Sequence, residues 1–444
     1  MKMTVRGIIF FGIYSFLITL PLSTALASNP SRVQGSFAIE LAVGAGFIGL
    51  SLMALEFALI SRIRAAAQPF GQDALQIFHN IMGVVALALL LIHPLLLIIS
   101  GYPANCWLNP FAACGNLATR TASLALYALI FLIASSIWRK TFRLPYEVWQ
   151  VMHGVLAIFI LVSAMVHIFI LGRYSSTNLM KAMWLMYAII VIGLILWYKI
   201  ILPLTRWNKA WQVVVNKAER GDSHTLVLRP LKHAGITFEP GQYAWIKKGK
   251  TPFGIGQHPI SFSSNGDVPP GGEISFTIKN LGDWSGKLVP TIQPGDRMWV
   301  DGPYGVLSSD REQGMGYVLI AGGIGITPLY SMCQTMAERE DVRPVLLFYG
   351  INDLESAIFK EELDELATKM NLQIIYVLNN PHESWDGETG YVDAEVLKRY
   401  LPKQYKHYVY FVCGPEPLMD AMDQALPALG VPSENVLSER FGMV

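Results

Sequence analysis

Residues 79–93 have the sequence HNIMGVVALALLLIH, and residues 153–167 have the sequence HGVLAIFILVSAMVH. Each segment is apolar between two histidines that lie 14 residues apart. Fourteen helical residues fall about 40° short of four turns and rise roughly 21 Å. Each histidine pair therefore lies on one face of a helix, with its two members near opposite sides of a bilayer core of about 30 Å.

The two histidine segments belong to a larger set of apolar segments. Six of these are long enough to cross a membrane. They cover residues 7–27, 36–60, 75–99, 119–138, 147–171 and 181–202. The first also has features of a secretory signal peptide, with Lys2 and Arg6 before the apolar run and Ala25-Leu26-Ala27 after it. We interpret it as a retained helix because its apolar stretch is long for a signal, and a cleaved signal remains the alternative.

Charge is distributed unevenly along the 444 residues. Residues 1–205 contain 12 basic and 4 acidic residues, whereas residues 206–444 contain 22 basic and 29 acidic residues. This division predicts a membrane domain followed by a water-soluble part. Loops on one side of the spans are richer in Lys and Arg, which places that side in the cytoplasm. An even number of spans returns the soluble part to the same side.

The histidines in the spans are expected to be functional, because ionisable residues inside hydrocarbon are costly. The two histidine-bearing spans run in the same direction, so His79 matches the depth of His153, and His93 matches that of His167. Neutral imidazole is a good axial ligand for haem iron, and the pattern predicts two six-coordinate haems. Helix packing and a zinc site are the alternatives, and zinc is disfavoured because no carboxylate or thiol is expected to join the histidines.

Two glycines lie on the same two spans. Gly83 and Gly154 leave room for a flat macrocycle, although small residues also mediate ordinary helix packing. Outside the spans, Cys106 and Cys114 share the loop of residues 100–118, which the topology places in a compartment where a disulfide can form.

Two H-x13-H pairs on alternate helices of a six-span bundle resemble the ferric reductase and NADPH oxidase superfamily. In that family four such histidines ligate two haems b. The resemblance therefore implies four iron ligands in this chain: His79, His93, His153 and His167.

The same resemblance implies a multi-domain membrane protein of prokaryotic type. Its transmembrane bundle would be followed by an antiparallel β-barrel FAD domain and an α/β parallel-sheet NAD(P) domain. We place these three domains at residues 1–205, 206–308 and 309–444. A prokaryotic inner membrane is the expected location, with the FAD and NAD(P) domains in the cytoplasm.

Residue patterns in the soluble part agree with two domains. Short β-type runs between Gly, Pro and Asp turns predict a closed antiparallel barrel over residues 211–306. Residues 317–444 alternate apolar strands with helical stretches, near 354–370, 393–400 and 416–429. This alternation is typical of a parallel sheet with helices on its faces.

Two motifs in the barrel resemble flavin-binding signatures of ferredoxin-reductase-type domains. The first contains His258, Pro259, Ile260, Ser261, Phe262 and Ser263, and in the family it lies against the isoalloxazine ring. The second is the segment of residues 282–288, GDWSGKL. Its Ser285 and the N-terminal amides of a short helix would hold the FAD pyrophosphate. Alone, each motif would be ordinary loop chemistry.

Three motifs in the last domain resemble the family's nucleotide site. A strand–turn–helix segment contains Gly322, Gly323, Gly325, Thr327 and Pro328, and its glycines would let the backbone approach a pyrophosphate closely. Pro328 suits a first helical turn. In the family, the tripeptide Cys413, Gly414 and Pro415 lies beside the nicotinamide, although Cys413 would also suit a small buried site. Phe441 matches a terminal aromatic that covers the flavin, but three residues follow it here.

The choice between NADH and NADPH depends on the residues after the second strand of the predicted NAD(P) domain. No basic residue that would bind a 2′-phosphate occurs in Ile351-Asn352-Asp353-Leu354. Asp353 would instead accept a hydrogen bond from a ribose hydroxyl, which favours NADH and leaves NADPH as the alternative.

The resemblance implies electron transfer from cytoplasmic NAD(P)H, via FAD and two haems b, to an acceptor on the opposite side. The acceptor would be oxygen, giving superoxide, with a ferric chelate, a periplasmic protein or a quinone as alternatives. Leu97 stands where the animal oxidases have a histidine beside their oxygen site, which weakens a direct analogy.

No side chain need act as acid, base or nucleophile. Membrane lipid is an expected partner, and neither nucleic acid nor an obligatory protein partner is expected. A transporter that uses the histidines as a proton relay is the alternative of a different class.

Overall fold

The structure is a computed structural model, and it describes residues 2–28, 36–63, 70–172 and 174–440. It divides into two compact units, Met1–Leu202 and Pro203–Val444. The predicted fold class is confirmed, because the described residues contain six membrane-length helices, followed by an antiparallel and a parallel sheet in the second unit.

The first unit is built from long apolar helices. In chain order the helices are α1 Lys2–Ser28, α2 Phe37–Leu59, α3 Gln72–Ile99, α4 Ala104–Leu108, α5 Leu117–Ile137, α6 Tyr146–Leu171 and α7 Asn178–Leu196. A π-helical turn, Trp197–Ile201, and a short helix α8, Leu202–Thr205, follow α7. Among the described residues, a candidate span is contributed by each of α1, α2, α3, α5, α6 and α7. The last span, Asn178–Thr205, also includes the π-helical turn and α8.

Helix α2 is the most buried span of this unit. Within its most apolar window 61% of the residues are buried, compared with 11% for α3. The exposed side chains of α3 and α6 include Ile81, Leu95 and Val155, which suits a surface that faces lipid. Gly46 and Gly49 lie on α2 where a Cβ atom would come within 3.0 Å of His93 and 2.8 Å of Leu90. These glycines therefore allow α3 to pack closely against α2.

The loop between α3 and α5 is fastened to α5. Cys106 and Cys114 form a disulfide, which answers the question that the sequence left open. Ser123 Oγ donates to the carbonyl of Trp107 at 2.7 Å, and Tyr127 Oη donates to that of Leu108 at 2.9 Å. These bonds hold α4 across the first turns of α5.

The second unit begins with an antiparallel sheet. Its strands are β1 Ala210–Glu219, β2 Ser223–Pro230, β3 Tyr243–Lys248, β4 His258–Ser261, β5 Ile274–Lys279 and β6 Arg297–Tyr304. They are ordered β4-β3-β6-β1-β2-β5, and a bridge between Phe262 and Phe276 joins the two edges of the sheet. The enclosed core includes Trp211, Phe262 and Phe276.

A parallel sheet completes the second unit. Its strands are β7 Tyr317–Gly322, β8 Val345–Ile351, β9 Leu372–Leu378, β10 Glu388–Thr389, β11 Val409–Cys413 and β12 Val436–Glu439, in the order β10-β9-β8-β7-β11-β12. Helices α9 Ile326–Glu338, α10 Lys360–Lys369, α11 Ala394–Tyr400 and α12 Glu416–Ala428 accompany them. Apolar clusters lie on both faces of the sheet, which is why its central strands are continuously apolar.

One predicted helix is shorter than expected. The stretch near 354–370 contains a 3-10 turn at Leu354–Ser356, and α10 begins only at Lys360. Phe359 has a φ of 61°, a left-handed conformation that prevents one continuous helix. Its ring stacks on Tyr330 with centroids 4.1 Å apart, and this packing offsets the backbone strain.

Hydrogen bonds join the two sheets into one unit. Ser331 Oγ of α9 donates to the carbonyl of Ser264 at 2.6 Å. Farther along α9, Thr335 Oγ1 accepts from the backbone N–H of Gly266 at 2.8 Å. The loop after the first flavin motif is therefore held directly against the helix that follows the glycine turn.

Candidate functional site

The four membrane histidines lie in two facing pairs. The ring centroids of His79 and His153 are 6.2 Å apart, and those of His93 and His167 are 6.4 Å apart. Helix α3 supplies the first member of each pair and α6 the second. The structure thus brings together the histidines that the sequence assigns to the same depth.

The separation of the rings suits two ligands of one metal ion. Two nitrogen–metal bonds of about 2 Å each, together with the distance from each nitrogen to its ring centre, place opposed axial imidazoles roughly 6 Å apart between centroids. Within the described ranges, no three His, Cys, Asp or Glu side chains gather into a group that could hold a metal ion. Two imidazoles on opposite sides suit the axial positions of haem iron, whose other ligands come from the macrocycle.

Hydrogen bonds orient the rings of the pair His93/His167. Nδ1 of His93 lies 2.7 Å from the carbonyl oxygen of Ala42, and Nδ1 of His167 lies 2.9 Å from that of Ala118. A carbonyl can only accept, so Nδ1 carries the proton in both rings. The lone pair of each neutral ring is therefore on Nε2, as a metal ligand requires.

The other pair has different partners. Nδ1 of His79 contacts the carboxylate of Glu56, and Nδ1 of His153 lies 3.3 Å from Ser136 Oγ. Glu56 does not complete a metal-ligand group among the described residues, but its contact with His79 is one that the sequence analysis did not identify. Glu56 is only 6% exposed and lies in an otherwise apolar stretch of α2. That acidic residue within a span was the sequence signal that could have revealed it.

An apolar cavity of about 150 Å³ is lined in part by His93 and His167. Its lining includes Phe47, Leu129 and Trp107. Gly83 and Gly154 also face open space, because a Cβ atom on either would meet nothing within 4 Å. The apolar lining beside two imidazoles suits an apolar macrocycle.

In the second unit, the glycine turn and the tripeptide after β11 pack together. A Cβ atom on Gly325 would lie 2.2 Å from the carbonyl oxygen of Cys413, and one on Gly322 would lie 2.7 Å from Pro415. Strands β7 and β11 are neighbours, so their carboxyl ends bring these two motifs to one edge of the sheet. In open α/β sheets, ligands bind at this edge.

Buried polar groups at this edge differ in how they are bonded. Thr327 is 2% exposed, and within the described residues its hydroxyl has no hydrogen-bond partner. A bound nucleotide would supply that partner, which supports the predicted role of the turn. Burial raises the pKa of the Cys413 thiol, so this thiol is neutral at physiological pH. Asp353 caps the turn at Leu354–Ser356 by accepting from Ser356 N at 2.8 Å.

The two flavin motifs also lie together. The ring of His258 stacks on that of Trp284, with centroids 4.0 Å apart and planes inclined by 21°. Ser261 is buried, and Ser263 Oγ pairs with Ser275 Oγ at 2.9 Å. Ser285 Oγ accepts from the backbone N–H groups of Leu281 and Gly282 at 2.9 and 3.1 Å.

The flavin motifs border open space. A Cβ atom on Gly256 or Gly282 would meet nothing within 4 Å, and Pro259 and Ile260 of the first motif are half-buried on β4. The surface beside β4 is therefore open. The predicted aromatic Phe441 lies outside the described residues.

Comparisons with known families match both units. Residues 45–164 match the family described as ferric reductase like transmembrane component. Residues 319–424 match the oxidoreductase NAD-binding domain. This is the domain combination of the ferric reductase and NADPH oxidase superfamily.

Individual relatives resemble the reductase part of this ferric-reductase-like chain. NADH-cytochrome b5 reductase 2 of Scheffersomyces stipitis is 34% identical over 187 residues, which are 38% of this chain and 63% of that protein. A flavohemoprotein of Oceanobacillus iheyensis is 26% identical over 244 residues, 52% of this chain and 58% of the relative. The chain thus spans less than two thirds of each relative. The FAD/NAD binding domain of a Vibrio cholerae nitric oxide dioxygenase covers 53% of this chain and 98% of its own, with 22% identity and a TM-score of 0.47.

Proposed function

We propose that this protein is an NAD(P)H-dependent oxidoreductase that moves electrons across the membrane, and that it binds FAD and two haems b for this purpose. The observation that carries the proposal is the arrangement of four histidines as two facing pairs on α3 and α6. The match to a ferric reductase like transmembrane component, followed by an oxidoreductase NAD-binding domain, supports it.

The cofactors would supply the redox chemistry. FAD accepts two electrons together and releases them singly, and haem iron carries one electron at a time. The protein's own groups bind and orient. Nε2 of His79, His93, His153 and His167 would be the iron ligands, while each Nδ1 is held by a neighbouring helix.

Residues of the second unit would hold the flavin and the nucleotide. The segment 258–263 and Ser285 border the open space beside β4, where we place FAD. The turn from Gly322 to Pro328 and the tripeptide 413–415 would hold NAD(P)H, with Thr327 as a hydrogen-bonding group. Phe441 is proposed to cover the flavin.

We propose oxygen, reduced to superoxide, as the acceptor. The disulfide loop that contains Cys106 and Cys114 packs on α5, and its Trp107 lines the cavity around His93. The apolar lining of this cavity favours a small apolar acceptor over a bulky, charged ferric chelate. Ferric-chelate reduction is the second candidate, favoured by the match over residues 45–164. A periplasmic protein or quinone is the third.

Two assays on the purified, cofactor-loaded chain test the acceptor. In air, cytochrome c reduction that superoxide dismutase suppresses is expected with NADH or NADPH. Under nitrogen, reduction of a ferric chelate is expected to be slower. Rapid chelate reduction under nitrogen, without superoxide production in air, would contradict oxygen as the acceptor and identify the ferric chelate in that role.

We propose NADH as the preferred donor, because residues 351–354 contain no basic group and one acid, Asp353. The ratio of kcat/KM for NADH to that for NADPH measures this preference. A ratio below one would contradict it.

A further inference from the structure

The two histidine pairs differ in what holds their Nδ1 atoms. For His93 and His167 the partners are two backbone carbonyls, whereas for His79 and His153 they are the carboxylate of Glu56 and the hydroxyl of Ser136. The centroid separations of the two pairs are similar, 6.2 and 6.4 Å. The membrane unit is therefore chemically asymmetric.

Helix α2 supplies the charged partner in this asymmetry. It supplies the partner of His79 through Glu56 and that of His93 through Ala42. These two residues are 14 positions apart, as are the two histidines. Because α2 and α3 are successive spans of opposite direction, equal spacing brings each partner to its histidine at the same depth.

Glu56 is costly where it lies. It is 6% exposed, on a helix whose other acid, Glu40, lies near the opposite end and accepts from Tyr174 Oη at 2.7 Å. A buried carboxylate needs a compensating partner, and for Glu56 the contacting group is Nδ1 of His79. An apolar side chain would serve helix packing at lower cost, so the carboxylate points to a role toward the histidine.

We propose that Glu56 is a positioning residue that fixes His79 and makes the haem at His79/His153 the lower-potential one of the two. This inference rests on the proposed binding of two haems. A carboxylate that accepts the Nδ1–H makes Nε2 a stronger electron donor, which favours the oxidised iron. A neutral carbonyl, as at Ala42, is a weaker acceptor. A potential that rises from the His79 pair to the His93 pair favours electron flow in that direction.

The test is a redox titration of the haem absorbance in Glu56→Gln. One midpoint potential is expected to rise by about 59 mV, which for one electron corresponds to a tenfold change in the equilibrium constant of reduction. The other midpoint is expected to stay unchanged. Repeating the substitution in a His93→Ala background, which retains the His79 pair, assigns the shifted midpoint. A shift that is absent there would overturn the proposal.

Glu40→Gln is the matched control, since it makes the same change on the same helix, 16 residues from Glu56. Unshifted midpoints in this variant are expected, and a shift equal to that of Glu56→Gln would overturn the proposal. If Glu56→Gln binds only one haem, the redox titration is repeated with Glu56→Asp. This variant keeps a carboxylate, so it is expected to bind two haems and to show the lower potential at the His79 pair. Failure of this rescue would overturn the role of Glu56. A wild-type chain that binds no haem would instead refute the proposed function.

Discussion

The rings of His93 and His167 face each other with centroids 6.4 Å apart. The Nδ1 atom of each ring is hydrogen-bonded to a backbone carbonyl on a different neighbouring helix. The carbonyls belong to Ala42 on α2 and Ala118 on α5. Four helices therefore fix one pair of Nε2 atoms. Preorganisation of this kind would let a haem bind without rearrangement of its ligands.

Loss of one histidine is expected to remove one haem. His167→Ala leaves a single axial ligand at its level, so haem content should fall from two per chain to about one, with a metal-affinity loss of at least ~10-fold. A pyridine haemochrome assay against protein concentration measures this. His382→Ala, at an exposed position, is the control and should keep two haems. Two haems in His167→Ala would rule out this ligand assignment.

Gly46 is expected to be required for the position of His93. A Cβ atom there would lie 3.0 Å from Nδ1 of His93, so Gly46→Ala should displace the ring from the Ala42 carbonyl. Overpacking of this kind costs about 1–3 kcal/mol. We expect a broadened or shifted spectrum of one haem and an unchanged spectrum of the other. Gly12→Ala, whose Cβ would meet nothing within 4 Å, should resemble wild type.

Gly325→Ala is expected to abolish NAD(P)H oxidation. Its Cβ would meet the Cys413 carbonyl at 2.2 Å and force apart the glycine turn and the tripeptide that we assign to the nucleotide. A cost above ~1.4 kcal/mol corresponds to at least a tenfold loss in kcat/KM with a soluble electron acceptor. Gly350→Ala is the milder comparison, because its Cβ would lie 3.2 Å from the Val392 side chain and at an ordinary contact distance of 3.6 Å from the Ala321 carbonyl oxygen. Equal activities would contradict the nucleotide assignment.

The stabilisation from the ion pair between the antiparallel-sheet part and the parallel-sheet part of the second unit is expected to depend on pH. Arg339 pairs with Asp267 at 2.6 Å, and its hydrogen bond holds the pKa of Asp267 below the usual value. The stabilisation from Asp267 is therefore present above its unfolded pKa of about 3.9 and disappears as pH falls through the lower folded value. Because the pair is partly exposed, we expect no more than about 1 kcal/mol. The stability difference between wild type and Asp267→Asn, from chemical unfolding, should vanish at low pH.

Much of the architecture could be predicted from sequence because it depends on local periodicity. The six spans, the two histidine pairs and the glycine turn before α9 follow from hydropathy, a 14-residue spacing and a strand–turn–helix pattern. Strand β12 was not predicted, since four residues after a loop carry little pattern. The break before α10 was also missed, because packing of Phe359 on Tyr330 decides it.

The partners of the histidines could not be predicted from the same patterns. They depend on which helices are neighbours and at what register, as the contact of Glu56 with His79 shows. Backbone acceptors such as Ala42 leave no side-chain signal at all. An unexplained acid in an apolar span is the exception, and such a residue should be paired with the nearest predicted ligand at matching depth.

Binding of two haems b between the paired histidines is measured by a reduced-minus-oxidised absorbance spectrum of the purified chain. We expect low-spin b-type bands, two haems per chain, and reduction of both by NADH or NADPH under nitrogen. A chain that is fully folded and flavin-loaded but shows no such bands would contradict this expectation.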